Sequence, residues 1–447
     1  MSGNKQPADS LAASLEGFFA ARLRPGDRFP RLCVAFSGGM DSVVLLHALR
    51  YLPWPAELSA LHVHHGLSTQ ADRWADFCAA CCREWSTPLE IVRVQVPRDS
   101  GEGIEAAARR LRYQVFSTCT ADWLALAQHR DDQAETLLLN LLRGAGVAGA
   151  AGMPVERRLG AQCRLIRPLL DVPRREIEAY AQAHGLRWVD DDSNEDRHFR
   201  RNFLRHDILP PLEQHFPGAS AALVRASGHF AEAAGLLDDL ASIDHQALAV
   251  PGGRVTLDGF RALPRARARN LLRHLWRAAG FRAPDARWID EALRQLASAG
   301  ASAETCLETV DGQLHVYRGE LYFIRPPASP PAQALHWQGE ACLPWAAGQV
   351  RFVPVIGQGI PRRLLEGRRV ELRTRQGGER LQLHPLRPRR PLRKLLQEAA
   401  IPPWERPALP LLWCDGKLAW VGRLGIDAGF ACPPEDEGIL PVIEPRE

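Results

Sequence analysis

Leu32-Cys33-Val34-Ala35-Phe36-Ser37-Gly38-Gly39-Met40-Asp41-Ser42-Val43-Val44-Leu45-Leu46-His47-Ala48-Leu49 is the stretch on which the fold turns. Leu32 to Phe36 is a short apolar run of strand length, and Val43 to Leu49 reads as the helix after it. Between them, two glycines let the backbone turn tightly and bring bare N–H groups toward an anion. The following helix adds the positive end of its dipole. Ser37 and Ser42 supply hydroxyls for phosphate oxygens. A carboxylate in a phosphate cradle is repulsive unless a cation bridges the two, so Asp41 is suited to Mg2+. Ser37, Gly38, Gly39, Met40, Asp41 and Ser42 are therefore read as a nucleotide-phosphate cradle, with Asp41 as the metal-holding residue. A Gly-Gly turn with a serine cap is common in α/β proteins, but five specified residues at a strand-to-helix junction favour the phosphate reading.

Outward from this loop, strand-like runs alternate with helical patterns. Leu58–His64, Leu89–Val96 and Trp123–Gln128 read as strands, with Glu102–Cys119 and Asp131–Leu142 as helices. The alternation predicts an α/β fold with a doubly wound parallel sheet and its site at the C-terminal ends of the strands. A Gly/Ala-rich passage, Gly144 to Gly152, is expected to be a loop near that site, and Pro173–His184 a helix with proline in its first turn. The first domain is expected to end near Pro210-Pro211. Residues 218–300 read as mostly helical, to Leu248, then Arg265–Ala279 and Trp288–Ala297, followed by a β-like tail, Leu314–Ile324. Arg325–Pro331 is proline-rich and linker-like. The expected organisation is a catalytic domain over 1–215, a mainly helical domain over 216–326, a linker over 327–354 and a small α+β domain over 355–447.

The 447 residues are 46% hydrophobic and 24% charged, ordinary for a soluble globular protein. Only Lys5, Lys394 and Lys417 are lysines among 56 basic residues. Nearly every cation is thus an arginine, permanently charged and shaped for bidentate phosphate contacts. The first half, Lys5 apart, has no lysine for a Gly-Lys-Ser/Thr phosphate loop or a Schiff base. Ten cysteines are scattered without a disulfide-like framework. The N-terminus, with Asp9 and Glu16 beside Leu11, Leu15, Phe18 and Phe19, lacks the order of a signal peptide, and no apolar run reaches membrane-spanning length. A reduced, cytoplasmic protein with no membrane partner is expected. Between Arg362 and Arg406, twelve arginines and one lysine face five glutamates, an excess of eight positive charges against +4 for the whole chain. Such asymmetry fits an RNA-backbone footprint. Trp404, Trp413 and Trp420 offer stacking surfaces, but a core role is the preferred reading.

Three further clusters carry chemistry. His129-Arg130-Asp131-Asp132-Gln133-Ala134-Glu135-Thr136 lies at a strand end and helix start, on the same sheet edge as the phosphate loop. Acidic residues in a first turn are worth about 0.3–1 kcal/mol each against the helix dipole. That accounts in part for Asp131 or Glu135, but not for His129. Arg109 and Arg112 share a helix face and can reach a triphosphate, although alone they would read as a solvated basic face. Asp191-Asp192-Ser193-Asn194-Glu195-Asp196, followed by Arg200, Arg201, Asn202, Phe203, Leu204 and Arg205, reads as a polar turn and a helix start. Cys78, Cys81 and Cys82, with His62, His64 and His65 nearby, raise a metal site. The cysteines occupy a helix-like stretch without a second pair and read better as buried small hydrophobes.

The loop resembles the pyrophosphatase-loop family, whose members cleave ATP between the α and β phosphates and transfer AMP to a substrate oxygen. Taken together, the chain resembles the bacterial tRNA(Ile)-lysidine synthetases of the long, three-domain type. The matching pieces are SGGMDS at 37–42, HVHHGLS at 62–68, EAAARRLRY at 105–113, HRDDQAET at 129–136, RPLLDVPRREI at 167–177 and DDSNEDRHFRRNFLR at 191–205. GGERLQL at 377–383 and LRKLLQEAAIPPWERPALPLLWCDGKLAWVG at 392–422 match that family's last domain. Arg130 departs from the pattern, where an apolar or small residue is expected.

The resemblance implies an adenine nucleotide alpha hydrolase-like catalytic domain, with ATP and Mg2+ as cofactors. The implied partners are the isoleucine tRNA with a CAU anticodon and free L-lysine. Carbon 2 of the wobble cytidine is activated through its oxygen by AMP, and the lysine ε-amine then displaces AMP to give lysidine. The amine must lose a proton first, since its free pKa is about 10.4. Asp132 and His129 are the acid/base candidates, with Asp132 as counter-ion to the amine the other option. Arg109 or Arg112 is assigned to phosphate charge or leaving pyrophosphate, and Arg201 or Arg205 to the tRNA or adenylate. The alternatives are a tRNA 2-thiocytidine-type thiolase, needing an iron–sulfur cluster or reactive cysteine, and a non-catalytic tRNA-binding relative. An amidotransferase-type synthetase would need a glutaminase cysteine. Oligomeric state is left open, with a homodimer among the options.

Overall fold

The apolar run after residue 30 forms β1, Arg31–Ala35, and the chain turns through Gly38 and Gly39 directly into α2, Met40–Leu49, preceded by α1, Pro7–Ala20. The computed structural model describes residues 7–23, 28, 30–52, 57–97, 103–160, 162–190, 196–300, 306–325, 334–346 and 348–445. It divides into two compact units, Met1–Leu240 and Ala241–Glu447. In the first, β1 is joined by β2 (Glu57–His64), β3 (Leu89–Arg93), β4 (Trp123–Ala125), β5 (Glu156–Leu159) and β6 (Cys163–Ile166), in the order β3-β2-β1-β4-β6-β5. All neighbours pair in parallel except β5 and β6. The chain leaves β1 toward β2 and β3, then returns to β4 on the other side of β1. The strand order therefore reverses between β1 and β4, where doubly wound sheets open a crevice at their C-terminal ends.

Alternation along β1 divides the core. Leu32 and Val34 join Leu11, Leu15, Phe19, Leu45 and Leu46 on one face, with Cys78, Cys81 and Cys82 of α3 (Ala71–Glu84) buried among them. Cys33 joins Leu124, Leu165 and Phe116 of α4 (Ile104–Ser117) on the other. The cysteines thus act as small apolar residues.

The helix after β1 begins at Met40 rather than Val43, so Asp41 and Ser42 lie in its first turn. Helix α5, Arg130–Leu142, follows β4 as expected. The Gly144–Gly152 passage contains a short helix, α6 (Val147–Ala150), and the β5–β6 hairpin was not read from sequence. Helix α7 covers Arg174–Ala183. Pro210 and Pro211 sit in the first turn of Leu209–His215, where missing N–H groups cost nothing. Asp191–Glu195 and residues 326–333 of the expected linker lie outside the described residues. Within that expected linker, Ala334–Trp337, Cys342–Trp345 and most of Gly348–Ile356 are strands; the last pairs along its length with Glu437–Pro445.

In the second unit, helices Arg265–Ala278 and Ala286–Ser298 bury Leu271, Leu272, Trp276, Ile289 and Leu296 with Leu314 and Leu321 of a five-stranded sheet. Trp420 is buried in the core of the terminal sheets, and Trp413 packs against a separate cluster with Leu381, Leu392, Leu411 and Leu418. Trp404 packs on His315, with ring centroids 4.4 Å apart, and on Tyr322 at 5.0 Å. All three tryptophans are engaged in packing. No helix among the described residues is long and apolar enough to cross a membrane.

Gly38 has φ +87, and a Cβ there would lie 3.0 Å from both Cys78 Sγ and Val189 Cγ2. Gly38→Ala is expected to lower the unfolding free energy by about 1–3 kcal/mol, read by urea denaturation. An unchanged midpoint would contradict this packing.

Candidate active site

The phosphate loop is held open by its own serines. The Ser42 hydroxyl donates to the Gly39 carbonyl at 2.9 Å and accepts from the Gly38 N–H at 3.2 Å. Its oxygen lies 3.1 Å from that of Ser37, which accepts from the Gly39 N–H at 3.4 Å. The preceding residue is pinned from β2, where His62 Nδ1 donates to the Phe36 carbonyl at 2.8 Å. Burial lowers the His62 pKa, although that hydrogen bond works against it. Behind the loop, the Val189 N–H donates to the Gly38 carbonyl at 3.0 Å. Asp41 Oδ1 is buried without a hydrogen-bond partner among the described residues, and burial pushes the carboxyl pKa up, with His129 opposing.

Across the crevice, His129 sits at the N-terminus of α5 and is 1% exposed. Its Nε2 lies 3.7 Å from Asp41 Oδ2 and 3.6 Å from Asp132 Oδ2, and its Nδ1 lies 3.6 Å from Asp131 Oδ2. Burial disfavours the charged ring, but these three carboxylates outweigh it and raise the pKa. Asp131 is desolvated too, yet His129 and the Arg174 N–H hold its pKa at about 2.

The arginines come from a later segment, the short helix α8 (Arg200–Phe203) and the wide turn Leu204–Ile208 that continues it. Such π-type turns often mark functional sites. Arg201 Nε donates to Glu135 Oε2 and Arg205 Nε to Glu135 Oε1, both at 2.6 Å. Arg201 Nη2 and Arg205 Nη2 both reach Asp132 Oδ1, at 2.9 and 3.0 Å. The second Asp132 oxygen accepts the His129 backbone N–H at 3.0 Å. Burial would raise the Asp132 pKa; His129, Arg201 and Arg205 reverse that and keep it ionised. Glu135 is 1% exposed, with both oxygens engaged.

The structure thus brings Asp41, His129, Asp132 and Arg205 into one cluster with the loop Ser37–Ser42, joined by Arg201. Arg112 is half-buried; burial, then the Arg109 charge and more weakly that of Arg201, lower its pKa. Arg109 is exposed, its guanidinium 5.2 Å from the Tyr113 ring centroid. Sequence reasoning undervalued Glu135, which lies three residues after Asp132 on the same helix face. It also missed the main-chain roles of Val189 and Arg174. In the basic stretch 362–406, Arg362, Arg369, Arg375, Arg389 and Arg390 are paired with Glu366, Glu371, Glu379, Asp427 and Glu398. Arg387, Arg393 and Lys394 are exposed, without an ion pair among the described residues.

Known proteins share this arrangement of parts. Residues 9–212 match a PP-loop domain, 256–322 a TilS substrate binding domain and 370–443 a TilS substrate C-terminal domain. The tRNA(Ile)-lysidine synthase of Nitrosomonas europaea is 45% identical over 434 residues, 96% of this chain and 94% of that protein. That of Aromatoleum aromaticum is 47% identical over 414 residues, 92% and 96% of the two chains. The chain belongs to the tRNA(Ile)-lysidine synthase family. Among solved structures, the U34-tRNA thiolase NcsA of Methanococcus maripaludis, with its 4Fe-4S cluster, is 19% identical over 51% of this chain and 81% of that one, at TM-score 0.43. That likeness is too distant to bear on mechanism.

Glu135→Gln keeps the volume but leaves two guanidiniums to one carboxylate. Breaking such a buried pair costs about 3–5 kcal/mol; with the arginines partly exposed, a loss of about 2–4 kcal/mol is expected in urea unfolding. A loss under about 1 kcal/mol, the scale of a surface pair, would contradict the anchoring role. The His129 pKa is raised above 6.5 on folding. Its charged ring therefore stabilises the fold fully below that value, and the contribution fades as pH rises through the folded pKa. The stability gap between wild type and His129→Gln should shrink as pH rises above 6.5; a gap that widens would refute the assignment.

Proposed function

We propose that this protein joins the ε-amine of free L-lysine to carbon 2 of the wobble cytidine in the CAU-anticodon isoleucine tRNA, in the cytoplasm, converting ATP to AMP and pyrophosphate. Family membership supports the reaction. The observation that carries it is the meeting, at one crevice, of the phosphate loop Ser37–Ser42 with the ionised Asp132 and its two arginines. In the first step the oxygen on cytidine carbon 2 attacks the α-phosphorus, an O–P bond forms, and the bond to pyrophosphate breaks. In the second the lysine nitrogen attacks carbon 2, the C–O bond breaks and AMP leaves. A poor oxygen leaving group has become a good one.

The loop N–H groups of Gly38 and Gly39, with the Ser37 and Ser42 hydroxyls, receive phosphate oxygens in place of their internal hydrogen bonds. Of the two candidates Arg109 and Arg112, Arg112, the more buried, offsets charge on the departing pyrophosphate. Arg205 and Arg201, already oriented by Glu135, present their remaining N–H groups to the adenylate. Asp132, held ionised, is better suited as counter-ion to the lysine ammonium than as its base. His129, in its neutral form, accepts the proton that the amine must lose. The residues present fit Mg2+, because Asp41 Oδ1 is a buried carboxylate oxygen without a partner in the loop. Asp41 would hold the ion, which when bound supplies charge neutralisation of the triphosphate. We assign catalysis to residues 1–215 and tRNA holding to 216–326 and 355–447, the exposed Arg387, Arg393 and Lys394 contacting the RNA backbone.

The test is incubation with ATP, Mg2+, labelled lysine and tRNA bearing CAU. Label is expected in the wobble nucleoside with AMP and pyrophosphate in equal amounts; label nowhere in the RNA defeats the reading. Asp41→Ala should slow pyrophosphate release, and Asp132→Ala and Arg112→Ala single-turnover lysidine formation, by about 100-fold or more. Full activity in these variants would overturn the assigned roles.

A further inference from the structure

Tyr113, on α4, is surrounded by arginines. The Arg157 guanidinium lies 4.7 Å from its ring centroid and that of Arg109 5.2 Å, while Arg167 is close enough to interact with it electrostatically. Arg112 adds a fourth guanidinium from the neighbouring position of the helix. Elsewhere in this arginine-rich protein a guanidinium commonly meets a carboxylate, as Arg31 meets Asp122, Arg93 meets Asp72, and Arg164 meets Glu156. Among the described residues, Arg109, Arg112 and Arg157 have no carboxylate at ion-pair distance. Arg167 is buried and held by neutral acceptors, Gln128 Oε1 and, at 2.6 Å, the Pro154 carbonyl. Burial lowers the Arg167 pKa, and the charges of Arg157 and Arg109 lower it further. Like charges gathered without a counter-ion repel one another, and an incoming anion relieves that repulsion.

Position selects which anion. Arg157 is on β5, the edge strand, opposite Leu165 of β6; Arg167 directly follows β6, and Gln128 lies just beyond β4. The cluster therefore lies at the same end of the sheet as His129, but on the far side of β4 from the phosphate loop after β1. ATP phosphates in that loop leave this second group of cations to another polyanion entering the crevice.

We infer that Arg109, Tyr113, Arg157 and Arg167 form a binding site for backbone phosphates of the RNA, next to the nucleotide being modified. The inference rests on the reading above that the acceptor is tRNA. Tyr113 spaces the guanidiniums, its ring against those of Arg109 and Arg157, and Arg157 is the exposed outer contact. Arg157 takes no part in the chemical steps, so its loss should weaken RNA binding alone.

Arg157→Ala, on the full chain, is expected to raise the tRNA Kd about 5- to 10-fold at 0.1 M salt. The slope of log Kd against log salt should fall by about 0.7–0.9, one phosphate contact. The KM for ATP and kcat at saturating tRNA should stay within about twofold. Arg157→Lys, which keeps the charge and loses the planar fork, should restore most of the slope and part of the affinity; it also serves if the alanine variant fails to fold. Unchanged tRNA affinity and slope would overturn the inference. A raised KM for ATP with unchanged tRNA affinity would assign the cluster to nucleotide phosphates and overturn it too. Wild-type protein that places no label in tRNA would instead defeat the reading on which it rests.

Discussion

Glu135 is the buried charge on which the site depends. It sits in the first turns of α5, 1% exposed, and both of its oxygens are taken by Arg201 and Arg205. An ionised carboxylate in such a place is tolerable only when paired and fully hydrogen-bonded. The two arginines come from residues 66 and 70 positions later in the chain. Satisfying Glu135 therefore brings the segment around Arg201–Arg205 to the start of α5, and the guanidiniums held there reach Asp132 as well. One interaction serves both ends: it fixes a distant segment at the crevice and keeps Asp132 charged at neutral pH.

The phosphate side is built by a different economy. Gly38, wedged between Cys78 and Val189, leaves no room for a side chain, and the serines close hydrogen bonds on the loop itself. The loop is thus shaped before any phosphate arrives, and binding exchanges internal hydrogen bonds for external ones. Preorganised donors of this sort need little rearrangement as charge develops. The lysine that commoner phosphate loops use is missing, and in the proposed mechanism arginines near the crevice supply its charge.

Legibility in the sequence followed the range of the interaction. The strand, the Gly-Gly turn and the helix around residue 38 are local, and the alternation of apolar runs predicted the parallel sheet with its site at the C-terminal ends of the strands. His129, Asp132 and the loop were placed on one edge by that reasoning alone. The pairing of Asp132 and Glu135 with Arg201 and Arg205 was not legible, because periodicity says nothing about which distant segment meets a carboxylate. Glu135 looked like a helix-dipole residue for the same reason. The hairpin Glu156–Ile166 escaped because its short strands carry arginines on an exposed sheet edge. The strands between 334 and 356 escaped because Pro344 and Pro354 interrupt them, and proline weakens a strand pattern. Trp404, Trp413 and Trp420 were better read as packing than as base-stacking surfaces, and their surroundings agree.

The central claim is that one crevice performs two separable steps, with pyrophosphate leaving at the loop before the amine arrives beside Asp132. Rapid quenching of the enzyme with ATP, Mg2+ and the CAU tRNA, lysine withheld, tests it most directly. The account predicts one pyrophosphate released per site and AMP covalently attached to the wobble cytidine. Pyrophosphate that appears only when lysine is present, or AMP found on the protein instead of the RNA, would contradict it.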